Sequence, residues 1–310
     1  MKREAVVGID VGGTRTKASL VTVDGEVLAE TVTPTPSGLG DRDGERLGDL
    51  AAHVVAELVA DLVAQPAEPA TLLAVGVVVP GLVDEAAGIG VWSANLGWRD
   101  LDLRSAVAAR VDVPVAVGHD VRAGLLAEHR LGAARAVANV LFVPLGTGLA
   151  SALLTGGELV TGAPWAGEIG HVVVVPDGPP CGCGRRGCLE AVASAGAIGR
   201  RWSEATGLTG DAEEVARRAA AGEPEAQRVW TEAIDALASV LAPVVAAAGT
   251  ELVLVGGGLV HAGDALLVPL RAALADRVGH LGDVAVEAAA LGDRAGSLGA
   301  ASLALGLVGR

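Results

Sequence analysis

The sequence has no tyrosine, one phenylalanine, one methionine and three cysteines in 310 residues. With aromatic side chains this rare, stacking on a ligand ring falls mainly to Trp92, Trp98, Trp165, Trp202 or Trp230. Lysine is nearly missing too, with Lys2 and Lys17 the only two. No stretch clusters Lys and Arg, and the formal net charge is −14. The basic face that a nucleic-acid binder needs is therefore lacking, and no nucleic-acid partner is expected. An acidic chain does not attract an anionic ligand from afar, so a bound nucleotide would need local backbone donors and a divalent cation. No apolar run reaches the roughly 18 residues of a membrane span. Met1–Asp10 carries Lys2, Arg3 and Glu4 and lacks a signal-peptide pattern, so the expectation is a cytoplasmic protein without a membrane partner. The Walker A string of Gly, four residues and Gly-Lys-Ser/Thr does not occur either.

Glycine, by contrast, is abundant, at 44 residues, about twice the usual share. It gathers after apolar β-type runs, where a chain turns sharply or approaches a ligand closely. Val6–Asp10, Thr16–Val23 and Val27–Thr33 read as strands, with a hairpin signal at Asp24-Gly25. A loop rich in Gly, Pro and Asp follows from Pro34 to Gly44, then a helix over Leu47–Val63, a buried strand over Leu73–Val79 stopped by Pro80-Gly81, a strand at Val113–Val117 and a helix from Asp120 to Arg130. The pattern then restarts: strand Asn139–Pro144, glycine turn 146–148, strand Leu149–Leu154, turn Gly156-Gly157, strand Glu158–Thr161. A whole supersecondary unit repeated in this way implies two similar α/β halves facing a cleft. The remainder is mainly helical. Trp230, Ile234, Leu237, Leu241, Val244 and Val245 form one helical stripe, which Pro243 should bend. Strand Glu251–Val255 ends in Gly256-Gly257-Gly258, and Asp293–Leu307 reads as a helix that packs back on the first half.

The glycine turns are candidate phosphate sites. In the string Asp10 to Lys17, Gly12 and Gly13 allow backbone N–H groups to approach an anion and Thr14 adds a hydroxyl. Asp10 could hold Mg²⁺ through water, and Lys17 is the nearby cation. The alternative is a tight hairpin with a capping carboxylate and a solvated lysine. Gly146, Thr147 and Gly148 repeat the theme, and two such turns could grip one polyphosphate. They are also near a GxGxxG/A fingerprint, but that motif must open a helix, and Leu149–Thr155 runs into Gly156-Gly157 too soon for one. Gly257 and Gly258 offer either a close approach to an adenosine or a close strand–helix crossing.

Cys181, Cys183 and Cys188 lie within eight residues, ten after His171. Three thiols cannot close a disulfide set. Three thiolates and an imidazole suit a closed, tetrahedral structural Zn²⁺ site. Gly182, Gly184 and Gly187 should provide the turns that bring the sulfurs together. Phosphoryl transfer to a hydroxyl also needs a carboxylate within reach of that hydroxyl. Asp120, after a strand end and at the start of a helix, is a candidate base, with a helix N-cap as the alternative. Glu168, His171 and Glu190, flanking the cysteine loop, could accept hydrogen bonds from a sugar.

Together these strings resemble the ROK family of sugar kinases, within the actin-like/hexokinase ATPase superfamily. The resemblance rests on Ile9–Thr14, Val79–Asp84, Asn95–Trp98, Leu145–Gly148, Gly167–His171, Cys181–Glu190 and Val255–Gly258. It implies two actin-like (ribonuclease H-like) α/β lobes around a central cleft with a zinc-braced loop, expected over 1–118 plus 292–310 and over 119–291. It implies ATP with Mg²⁺ on Asp10, Gly12, Gly13, Thr14, Lys17, Gly146, Thr147, Gly148, Gly257 and Gly258. Asp120 resembles the base acting on a sugar 6-hydroxyl, itself a sugar contact, with Asn95, His119, Gly81, Glu168, His171 and Glu190 on the sugar side. The structural Zn²⁺ would sit on His171, Cys181, Cys183 and Cys188, with the other nitrogen of His171 toward the sugar. Glucokinases, N-acetylmannosamine kinases and N-acetylglucosamine kinases are the resembling activities, and a homodimer or homotetramer is expected. One departure stands out: the family usually has Asn before the catalytic Asp, and here it is His119, larger and titratable. Sugar-responsive repressors of the family carry a DNA-binding domain ahead of the first glycine motif, for which no room is expected here. A sensing module that has lost catalysis is the non-enzymatic alternative.

Overall fold

A computed structural model describes residues 3–35, 44–66, 70–93 and 96–309, with the backbone alone for 44–50. Asn95 and most of the expected Pro34–Gly44 loop lie outside the described residues. The chain divides into two compact units, one of Met1–Glu128, Thr161–Trp165 and Asp293–Arg310, the other of His129–Val160 and Ala166–Gly292.

The first unit contains β1 (Glu4–Val11), β2 (Arg15–Thr22), β3 (Val27–Pro34), α1 (Gly44–Ala64), β4 (Thr71–Val79), β5 (Leu82–Asp84), β6 (Ile89–Ser93), β7 (Trp98–Asp102), α2 (Leu103–Ala108), β8 (Val115–His119) and the start of α3 (Asp120–Leu131). The main sheet has the order β3-β2-β1-β4-β8. β1, β2 and β3 run antiparallel by hairpins, while β4 and β8 continue parallel to β1. Both faces of the central strands are covered, so β1 and β4 are almost unbroken apolar runs. β3 at the edge alternates with polar residues instead. Val55, Leu58, Val59 and Leu62 of α1, spaced for one helical face, enter the core beside Ile9, Leu20 and Val77.

The C-terminal helix, Ala295–Leu307, lies on β1, β2, β4 and β8 of this same unit, as its small-residue sequence suggested. It comes so close that a Cβ on Gly8 would overlap the Ser297 carbonyl and one on Gly76 the Ala300 carbonyl. A second sheet, β5-β6-β7, was not foreseen. Its three short strands lie between turns, and their pairing is tertiary.

The second unit holds β9 (Val140–Pro144), β10 (Ala152–Thr155), β11 (Glu158–Leu159), α4 (Leu189–Ala193), α5 (Ala195–Thr206), α6 (Ala212–Ala220), α7 (Pro224–Ala248), β12 (Leu252–Gly256), α8 (Asp264–Val278) and β13 (Ala285–Ala288). Its sheet order is β11-β10-β9-β12-β13. β9 is antiparallel to β10 and parallel to β12, which is parallel to β13. Strand order and directions repeat the first unit, so the expected internal repeat is present. β10 starts later than the Leu149 expected for it, because the Ser151 N–H is bonded to the Gly167 carbonyl at 2.8 Å. α7 is the one described helix long and apolar enough to cross a membrane. Its apolar stripe, including Trp230, Ile234, Leu237 and Leu241, belongs to the core of this unit. The Trp230 indole N–H donates to the Ala265 carbonyl at 3.0 Å.

Candidate active site and metal cluster

In the first unit, the carboxyl ends of the parallel strands carry the expected residues. Asp10 is at the end of β1, Pro80-Gly81 follows β4, and His119-Asp120 closes β8 and opens α3. Such carboxyl ends are where open α/β sheets bind ligands. The β1–β2 turn is closed by the Gly12 N–H on the Arg15 carbonyl at 3.1 Å, and Thr35 Oγ1 donates to the Gly12 carbonyl at 2.7 Å. Among the described residues, the N–H groups of Gly13 and Thr14 enter no such internal bond. The carboxylate of Asp10 backs onto Gly296, where a Cβ would collide with it. Burial, and then the neighbouring charge of Asp120, raise Asp10 to about 7, with Lys17 opposing and Asp293 adding to the rise. A half-buried carboxylate this reluctant to ionise fits a divalent cation. Lys17, opposite Asp10 across the β1–β2 ladder, places Nζ 3.1 Å from the Asp293 carbonyl oxygen and 3.5 Å from Asp293 Oδ2.

Asp120 is not a conventional N-cap. Its Oδ1 accepts from the adjacent Val121 N–H at 2.7 Å and lies 3.4 Å from His119 Nε2. Burial raises it to about 6, against the lowering effect of the Val121 N–H and Arg122. His119 is 3% exposed. Its pKa falls to about 3, first through burial and then through Arg122, with Glu85 opposing, so the ring is neutral. Its backbone N–H donates to Glu85 Oε1 at 2.9 Å, and the same oxygen accepts Arg122 Nε at 2.7 Å. Neither Glu85 nor Arg122 was expected from the sequence. The available signal was an arginine set within the apolar run of α3. Gly81 adopts φ +102, with Trp92 O where a Cβ would go.

In the second unit, the Gly146–Gly148 turn is closed by the Gly146 N–H on the Gly148 carbonyl at 3.1 Å, which leaves the Thr147 and Gly148 N–H groups outside the internal bonds among described residues. Its neighbour is the Gly256–Gly258 turn. The Leu145 N–H bonds the Gly256 carbonyl at 2.9 Å, and Gly257, at φ +74, lies against the Leu145 backbone. Glu190, in the first turn of α4, accepts the Leu149 N–H at 2.9 Å through Oε2. Its Oε1 is 3.8 Å from Cys181 Sγ. Glu190 therefore ties the second glycine turn to the cysteine loop.

The ligand atoms of His171, Cys181, Cys183 and Cys188 all lie within 4.8 Å of one another. His171 Nδ1 is 3.6 Å from Cys181 Sγ, and Cys183 Sγ is 3.7 Å from Cys188 Sγ. His171 Nε2 lies 3.6 Å from Glu168 Oε2, so Nδ1 is the nitrogen turned to the sulfurs and Nε2 the one turned to a carboxylate. Burial, followed by bonds from Cys183 and Cys181, pushes the Cys188 thiol up to about 12. Three thiols crowded with one imidazole match the donor set of a structural zinc site, in which the metal displaces the thiol protons. The loop turns on Gly184 and Gly187, at φ +86 and +70. Gly182 has neither a positive φ nor a close neighbour, so the expectation that it is needed for a turn is corrected. Of the tryptophans, Trp98, Trp202 and Trp230 are core residues, which leaves Trp92 and Trp165 as those available to a ligand.

Duplicated five-stranded sheets of one order, each with a glycine turn after its first strand, define the actin-like/hexokinase ATPase superfamily. The model of the ROK family matches residues 6–306, and the chain belongs to that family. The chain is 33% identical over 294 residues to a glucokinase of Thermotoga maritima, covering 90% of this chain and 89% of the relative. Among solved structures it is similar to a ROK hexokinase of Thermus thermophilus, at 31% identity and TM-score 0.82, covering 98% and 99% of the two chains. It is also similar to a ROK glucokinase of Streptomyces griseus solved with glucose and AMPPNP, at 30% identity and TM-score 0.77, covering 97% and 99%.

Proposed function

We infer that the chain is an ATP-dependent sugar kinase and propose that it phosphorylates a free hexose, glucose foremost, at the 6-hydroxyl. The observation that carries this reading is Asp120 at the carboxyl end of β8, coupled by charge to Asp10 beside the open Gly13 and Thr14 amides. A carboxyl group raised to about 6 is mostly ionised at neutral pH, yet basic enough to accept a hydroxyl proton as the oxygen attacks phosphorus. Asp10 would hold Mg²⁺, which supplies charge neutralisation on the phosphates. In the first unit, Gly13 and Thr14 donate N–H groups to phosphate, and Gly81 and Asn95 belong to the sugar side. In the second unit, Thr147 and Gly148 donate to phosphate, Gly257 and Gly258 meet the adenosine, and Glu168, His171 and Glu190 belong to the sugar side. The Cys₃His cluster would hold Zn²⁺ and brace Glu168, through His171, and Glu190. A cell compartment supplying ATP and free hexose, the cytoplasm, is the proposed location.

The test is an ADP-release assay with Mg²⁺-ATP and glucose, mannose, fructose, N-acetylglucosamine and N-acetylmannosamine. Glucose should give the largest kcat/KM. A larger value for an N-acetyl sugar would move the acceptor, and sugar binding with no turnover of any would establish a sensing module instead.

A further inference from the structure

Arg122 is among the largest fully buried side chains, at 2% exposure. A buried guanidinium is tolerated only with a paired and well-bonded partner. Its partner is Glu85, which directly follows β5 of the small three-stranded sheet. One oxygen, Glu85 Oε1, receives both Arg122 Nε and the backbone N–H of His119. Arg122 also reaches the Val83 carbonyl at 3.3 Å, and Arg104 donates to the Glu85 carbonyl at 2.6 Å. Glu85 is thus held at both its side chain and its backbone. The residue it grips, His119, immediately precedes Asp120, and Arg122 is two residues beyond it. The neutral ring of His119 places Nε2 3.4 Å from Asp120 Oδ1. The Val121 N–H and His119 Nε2 both address Oδ1.

We propose that Glu85 and Arg122 are a positioning pair: by clamping the β8–α3 junction from both sides of Asp120, and His119 with it, they hold the Asp120 carboxylate in the orientation that accepts the acceptor's proton. This rests on the reading of Asp120 as the base. The pair acts through His119 and the backbone, with Arg122 2% exposed and bonded to Glu85 and to the Val83 carbonyl.

Two variants test it. Glu85→Met with Arg122→Met removes both charges of the pair together, so no unpaired ion is left inside, while the His119 N–H loses its acceptor. Its melting temperature should stay near wild type, with sugar and ATP KM nearly unchanged, while kcat falls about 100-fold, the scale of an ångström-sized misplacement. Glu85→Asp keeps Arg122 paired but withdraws the acceptor by one methylene, and should lower kcat about tenfold at unchanged KM and melting temperature. Wild-type kcat in either folded variant would show that the pair serves the fold alone and overturn the proposal. If the double variant does not fold, Glu85→Asp decides. If the wild-type protein phosphorylates no sugar, the kinase reading fails and the positioning role with it. If the wild type turns over and the variants match it, the positioning role alone fails.

Discussion

Asp120→Asn should make the protein a worse enzyme and a more stable one, in a pH-dependent way. The Asp120 carboxyl is raised from 3.8 to about 6 by burial. Its side chain is 30% exposed. A shift of that size corresponds to about 3 kcal/mol, which we discount to about 2 kcal/mol for the screening its exposed portion allows. The sign follows from linkage. In the unfolded chain the group ionises near 3.8, whereas in the folded protein it keeps its proton until about 6. Ionisation therefore opposes folding above that range, the penalty grows between the two values, and below 3.8 it is absent. Asparagine cannot ionise and escapes the penalty. Denaturant titrations without Mg²⁺ or sugar should give Asp120→Asn an advantage of about 2 kcal/mol at pH 8 and none at pH 3.5. In the ADP-release assay the same variant should lose at least about 100-fold in kcat, the lower range for a general base. Near-full turnover, or an equal stability difference at both pH values, would refute the assignment of a desolvated base.

For the wild-type protein, kcat/KM should climb with pH as Asp120 ionises near 6 and Asp10 near 7 and level off above that, because only the ionised Asp120 accepts a proton and only the ionised Asp10 holds Mg²⁺; a rate independent of pH between 5 and 8 would contradict this. Cys183→Ser should reduce bound zinc, measured by atomic emission, from about one ion per chain to none and lower the melting temperature. His119→Asn should change the ranking of sugars in the assay panel, and an identical profile would separate His119 from acceptor choice. Gly8→Val should destabilise the first unit by several kcal/mol or prevent folding, because the Ser297 carbonyl occupies the space of its side chain; melting curves check this.

Local chemistry that repeats was legible in the sequence. The glycine turns at 12–14 and 146–148, the hairpins after them and the Cys181–Cys188 spacing each combine neighbouring residues, and the structure places them in equivalent strands or one tight cluster. Relations set by distant partners were not legible. Lys17 read as a phosphate cation or a solvated strand residue, and its contact with Asp293, across nearly the full chain length, could not be read locally. Glu85 carried no signal in the sequence because β5–β7 are too short to announce a sheet, so its hold on His119 and Arg122 was invisible. The tryptophans could be counted as stacking candidates, but burial of Trp98, Trp202 and Trp230 depends on packing that no local pattern encodes.

The helix Ala295–Leu307 covers β1, the strand at the opposite end of the chain. During synthesis, residues of the second unit up to Gly292 emerge while the first sheet still has one naked face, so the later-made unit can mature before the earlier-made one. A nascent chain stalled before residue 295 should leave β1 and β4 open to chaperones, and release of the last helical turns is what seals them.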